Sequence, residues 1–123
     1  MKRTVITVDG NGRLSIPSNL EDLRMSESEL IDMLYITAPK LTAVIRAIYK
    51  EGMLSMSEVQ RREELSKGIW QTLYGFPMVV AICFRLNSNG AAQLRDAIIK
   101  RLYGAKEKTN IVLQLYGGTN SFS

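Results

Sequence analysis

The stretch from Ser26 to Gly52 carries its own punctuation and constrains the fold more than any other part of the chain. Ser26 followed by Glu29 is a capping box: each side chain accepts a hydrogen bond from a backbone N–H that the first helical turn leaves unpartnered. Leu30, Ile31, Met33 and Leu34 supply an apolar side, and the helix breaks near Tyr35-Ile36. Thr37 opens a second helix, with Pro39 tolerated in its first turn because no intrahelical bond is lost there. Leu41, Val44, Ile45 and Ile48 recur at helical spacing and predict the buried stripe. Gly52 stands where a left-handed C-terminal cap belongs. Two helices joined by so short a break predict a helix-turn-helix.

The flanking segments alternate between strand and helix signals. Residues 3–16 predict a β-hairpin, with RTVITV outbound, Asp9-Gly10-Asn11-Gly12 as the turn and Arg13 to Ile16 returning. Residues 57–74 predict a second hairpin, Ser57–Leu65 against Ile69–Tyr74 across Ser66-Lys67-Gly68; SEVQRREEL also suits a surface helix. Residues 77–103 predict a helical pair. Its first member, carrying Val79, Val80, Ile82, Cys83 and Phe84, is apolar nearly all round and so central to the core. Its second, Ala91–Tyr103, buries Leu94, Ile98, Ile99 and Leu102. Residues 110–116 read as a last strand and 117–123 as a tail. The fold expected for residues 1–123 is a single α+β domain with a winged-helix-like core, an N-terminal hairpin, a middle hairpin and two further helices.

Composition narrows the chemistry. The 123 residues include no histidine and one cysteine. Histidine-centred triads, imidazole bases and nearly every zinc, copper or non-haem iron site are thereby removed, and no intramolecular disulfide is possible. Ser, Lys, Tyr and the carboxylates show no activating spacing. The chain therefore reads as a non-enzyme, with no cofactor and no metal. The longest apolar run, Phe76 to Phe84, contains a proline and falls far short of the ~20 residues a membrane span needs. A cytoplasmic protein without a membrane partner is expected.

Charge is segregated. The formal net charge is +4. Residues 21–32 are acidic through Glu21, Asp22, Glu27, Glu29 and Asp32, while 37–52 and 85–108 are basic. On the second helix a 100° projection sends Lys40, Ala43, Arg46, Ala47 and Lys50 away from the apolar stripe. Small residues between cations suit close approach to a DNA major groove: Arg46 to a guanine edge or a phosphate, Lys40 and Lys50 to phosphates. An ordinary solvated face has the same pattern, and the acids of the first helix oppose a DNA backbone unless turned away. Arg61, Arg62 and Lys67 lie at or near the hairpin tip, where a wing would meet backbone or minor groove, although Glu58, Glu63 and Glu64 cancel them numerically. Trp70 reads as a core or cross-strand aromatic, and Cys83 as a core residue.

Met25–Leu54 and Leu73–Leu102, taken together, resemble the RhuM-like family of bacterial virulence-associated, mobile-element proteins. Ile45, Tyr49, Lys50, Glu51 and Gly52 match at the end of the second helix. Tyr74, Arg85, Asn87, Ser88 and Arg95 match a "YNLD…VGYRVNS…FR" segment, and the likeness covers roughly residues 24–103. Gly75-Phe76-Pro77, Cys83-Phe84 and Leu94 depart from it. The resemblance implies a DNA-binding, regulatory or mobile-element role, with double-stranded DNA as partner. A homodimer reading paired half-sites follows from that role. For Arg85, Asn87, Ser88 and Arg95 two readings stand, an anion or interaction site and a helix-capping joint. A different class also fits the whole chain: a protein-interaction module that keeps the fold without binding DNA and assembles through edge strands at 3–8 and 110–116.

Overall fold

A computed structural model describes residues 3–104; the expected strand at 110–116 and the tail at 117–123 lie outside them. The described chain is α+β, with five helices and two small antiparallel sheets. Strands β1 (Thr7–Val8) and β2 (Leu14–Ser15) form the N-terminal hairpin. Asp9 tightens its turn, the carboxylate accepting from the backbone N–H groups of Asn11 at 2.8 Å and Arg13 at 2.9 Å, and Gly12 takes φ +78°. The regular strands are much shorter than residues 3–8 and 13–16 led one to expect. Thr4 instead bridges Leu23 in parallel, and Arg24 N–H donates to the Thr4 carbonyl at 2.9 Å. The outbound segment spends its pairing on the main body rather than on its own hairpin.

The helix pair forms as its caps require. In α1 (Glu27–Leu34) the capping box is complete, with Ser26 Oγ accepting from Glu29 N and Glu29 Oε1 accepting from Ser26 N. Tyr35 ends α1 in the left-handed region, and Thr37 Oγ1 caps α2 (Ala38–Glu51) by accepting from Lys40 N. Gly52 closes α2 with φ +80°. Leu41, Ile45 and Ile48 are buried, and Val44 is partly so.

The second hairpin is real but starts later than expected. Residues 56–59 form a helical turn, α3 (Met56–Val59), whose Val59 is buried; the strand begins only at Gln60. Strand β4 (Gln60–Ser66) pairs with β5 (Ile69–Gly75), and Glu64 opposes Trp70 while Ser66 opposes Ile69. Leu65 is thus an extra residue, a β-bulge. A strand that carries no sequence signal, β3 (Arg24–Ser26), pairs with the other side of β5, giving the order β3-β5-β4. Since β3 leads straight into α1 and β5 into α4, the sheet ties the helix pair to the rest of the core.

Helix α4 (Phe76–Cys83) buries Met78, Val79, Ile82 and Cys83. Phe84, expected in the core, lies beyond the helix end and is exposed. Helix α5 (Asn89–Gly104) packs through Ala91 and Leu94. Ile98 is half-buried, whereas Ile99 and Leu102, also expected inside, are exposed because the end of α5 runs past the elements that cover its start. The start of α5 lies so close to the end of α1 that a Cβ at Gly90 would overlap the Met33 carbonyl oxygen. The fully buried set Leu23, Met25, Leu30, Leu34, Leu41, Met78, Ile82 and Leu94 joins β3 and four helices in one core, each such side chain contributing about 1.5–3 kcal/mol of transfer free energy. No described helix is long and apolar enough to cross a membrane.

Candidate nucleic-acid interface

Burying Leu41, Ile45 and Ile48 fixes the rotation of α2, so the opposite face must look outward. Lys40, Ala43, Arg46, Ala47 and Lys50 are all exposed, as the projection requires. The ion pairs among the described residues are Arg3–Glu29, Arg3–Glu63, Arg85–Glu51 and Lys100–Asp96. Glu51, the one acid of α2, is therefore engaged, while Lys40, Arg46 and Lys50 make no ion pair there.

Of the three acids of α1, Glu29 is the one paired with a cation among the described residues. Arg3 forks onto Glu29 at 2.6 and 3.0 Å. Burial pushes the Glu29 pKa up, but the guanidinium and the Ser26 N–H outweigh it and hold the carboxyl below its usual range. Glu27 accepts from the Tyr74 hydroxyl at 3.3 Å, and Asp32 alone of the three stands exposed without such a bond among the described residues. Arg3 thus offsets one of the three charges, while exposed Glu27 and Asp32 still oppose a phosphate backbone.

The hairpin is coupled to α2 through Tyr49, whose hydroxyl donates to Gln60 Oε1 at 2.6 Å. Burial raises the pKa of Tyr49 and of Tyr74, keeping both phenols protonated as donors. Farther out, Arg61, Arg62 and Lys67 are exposed. Of the acids that cancel them numerically, Glu63 lies near the Arg3 guanidinium, whereas Glu58 and Glu64 are exposed without a cationic partner among the described residues. Glu63 also accepts from Gln71 at 2.8 Å, and Glu64 accepts from the Gly68 N–H at 3.1 Å. Trp70 is a cross-strand aromatic rather than a core residue: it is 50% exposed, with the Arg62 guanidinium 5.2 Å from its ring centre. Neither the Arg62–Trp70 stack nor the Tyr49–Gln60 bond is readable from spacing alone, because the first depends on the β4–β5 register and the second on where α2 packs against β4.

Of the four residues of the polar cluster, two are plainly structural. Ser88 Oγ accepts from Ala91 N at 3.1 Å, capping α5, and donates to the Leu34 carbonyl. Arg95 spans the α4–α5 turn, donating to the carbonyls of Cys83 and Leu86. Arg85 pairs with Glu51. Asn87 is exposed, and with Thr37, Lys40, Arg85 and Ser88 it lines a hollow of about 360 Å³ at the start of α2. Cys83 is buried, its thiol pushed up to about 11 by desolvation, with Arg95 opposing that shift.

No protein-family model, curated protein or solved structure matches the chain.

Proposed function

We propose that this chain binds double-stranded DNA as a helix-turn-helix protein of winged-helix-like form and RhuM-like type, with α1 and α2 as the helix pair and β4–β5 as the wing. The observation that carries the reading is the outer face of α2, where three exposed cations without ion partners among the described residues are interleaved with Ala43 and Ala47. In this reading α2 enters the major groove, Arg46 meets a guanine edge or phosphate, and Lys40 and Lys50 meet phosphates. Arg61, Arg62 and Lys67 add contacts from the wing, which pairing of β5 with β3 holds beside the helices. The protein acts as a cytoplasmic homodimer, in a regulatory or mobile-element-associated role and without catalysis.

The test is fluorescence anisotropy with duplexes recovered from a random pool, in rising salt. Each phosphate contact releases about one counterion, so K40A, R46A and K50A should each lower the slope of log affinity against log salt by about one. Should Arg46 read a guanine, R46A costs about 1–3 kcal/mol on the preferred site and much less elsewhere. A folded triple variant that binds as the wild type does would end the reading.

A second reading is a protein-interaction module. Besides the edge strands at 3–8 and 110–116, the latter outside the described residues, an apolar hollow of about 300 Å³ lined by Ile16, Leu20, Phe76, Ile98 and Leu102 supports it. Wild-type protein that binds no duplex at low salt but self-associates through this hollow would favour it.

A further inference from the structure

The end of α5 carries more apolar surface than the described fold covers. Ile98 and Leu102, one turn apart, form a wall of the apolar hollow of about 300 Å³, with Ile16, Leu20 and Phe76 around it. Ile99 and Tyr103 stand about 100° further round the helix and are exposed as well. Ile16 follows β2 directly, and the outer edge of β2 pairs with no strand among the described residues. An apolar hollow beside a free strand edge suits an extended apolar segment. The edge supplies backbone partners, and the hollow takes alternate side chains.

The chain itself holds such a segment. The described residues end at Gly104, just past Leu102, and residues 105–123 follow. Within them residues 110–116 have a strand's alternation, with Ile111, Leu113 and Leu115 on one side and Val112, Gln114 and Tyr116 on the other. What would stay uncovered decides whose hollow they fill. Folded back onto its own α5, the segment would bury Ile111, Leu113 and Leu115 and leave Val112, Tyr116, Ile99 and Tyr103 in water. The chain would also have to reverse at once, yet Ala105-Lys106-Glu107-Lys108 are helix formers with no glycine or proline among them. A second copy meets both objections. Exchange about a twofold axis lays each segment in the other copy's hollow and sets the two remaining apolar faces against each other. We infer that the chain dimerises by exchanging residues 110–116, with Ile111, Leu113 and Leu115 entering the other copy's hollow beside its Leu102. The inference rests on the homodimer of the reading above and names the segment and the hollow that make it.

The experiment uses the full chain. By static light scattering the wild type should have twice the 13.8 kDa of one chain. Leu113→Asp/Leu115→Asp should return to 13.8 kDa, because exchange would carry two unpaired carboxylates into an apolar hollow. The core described above is assembled without these residues, so that variant should keep a cooperative melt. Cross-linking then identifies whose hollow is filled. Leu102→Cys and Leu113→Cys are made as separate proteins, mixed, and treated with a short bismaleimide; the native Cys83 is buried and out of its reach. The mixture should give a covalent pair of one copy of each, in far higher yield than either protein gives alone. In the double variant Leu102→Cys/Leu113→Cys the links should run between chains. Links confined to single chains assign the hollow to the copy's own segment and overturn the exchange. Links between Leu113→Cys copies alone, no links at all, or a dimeric Leu113→Asp/Leu115→Asp also overturn the exchange and leave the homodimer standing. A wild type of 13.8 kDa overturns both together.

Discussion

Gly90 shows what one missing methyl group permits. Its backbone lies against the last residues of α1, and the added Cβ of Gly90→Ala would collide with backbone atoms of Met33 and Leu34 that no rotamer change can move. The variant should lose about 1–3 kcal/mol or more, the usual cost of overpacking, seen as a lower urea midpoint with an unchanged slope. Glu29 sets a pH limit. Its folded pKa is depressed, so its contribution to stability is full above the unfolded value of about 4.3 and fades as pH falls through the folded one. Glu29→Gln should therefore be less stable than wild type near neutrality, and the gap should narrow as pH drops below about 4. Thermal melts over that range would measure it; a gap that widened on acidification would contradict the assignment.

At the scale of elements, the parts legible in the sequence are those whose signal is local. Ser26/Glu29, Thr37 and Gly52 name the ends of α1 and α2 because a cap is a contact between residues close in sequence. Strand β3 was not legible: Arg24-Met25-Ser26 has neither β-branching nor alternation, and it is a strand only because β5 lies alongside. For the same reason Ile99 and Leu102 have helical spacing yet stay exposed, since periodicity identifies a face but not whether another element reaches it. The outer face of α2 followed from its inner one, whereas the engagement of Glu29 by Arg3 and of Glu51 by Arg85 depended on tertiary partners. Ser88 and Asn87 separate the two readings of the polar cluster. Ser88→Ala removes a cap and a bond to α1 and should cost about 1 kcal/mol or more, while Asn87→Ala should stay within about 0.5 kcal/mol in the same denaturation assay.

For the whole molecule, the question is how many copies act together. One recognition helix reads a short site, and helix-turn-helix proteins combine two by dimerising on paired half-sites. The surface with the chemistry to pair is the end of α5, where Ile99, Leu102 and Tyr103 are exposed and Leu102 borders the hollow formed with Ile16, Leu20 and Phe76. The proposed DNA-reading face lies on α2, so self-association through α5 uses different residues. Static light scattering at micromolar concentration should return twice the 13.8 kDa of one chain. Leu102→Glu places a charge in the hollow, at a position exposed enough to leave the fold intact, and should bring the mass back to 13.8 kDa. A wild type already at that mass would exclude the dimer, and a variant that stayed at twice the mass would move the interface away from α5. The same variant separates dimerisation from recognition. Binding two linked half-sites gains from effective concentration, so Leu102→Glu should lose about 10²-fold or more on a paired site and little on a single one. Equal losses on both would mean that Leu102 supports the DNA-reading surface itself.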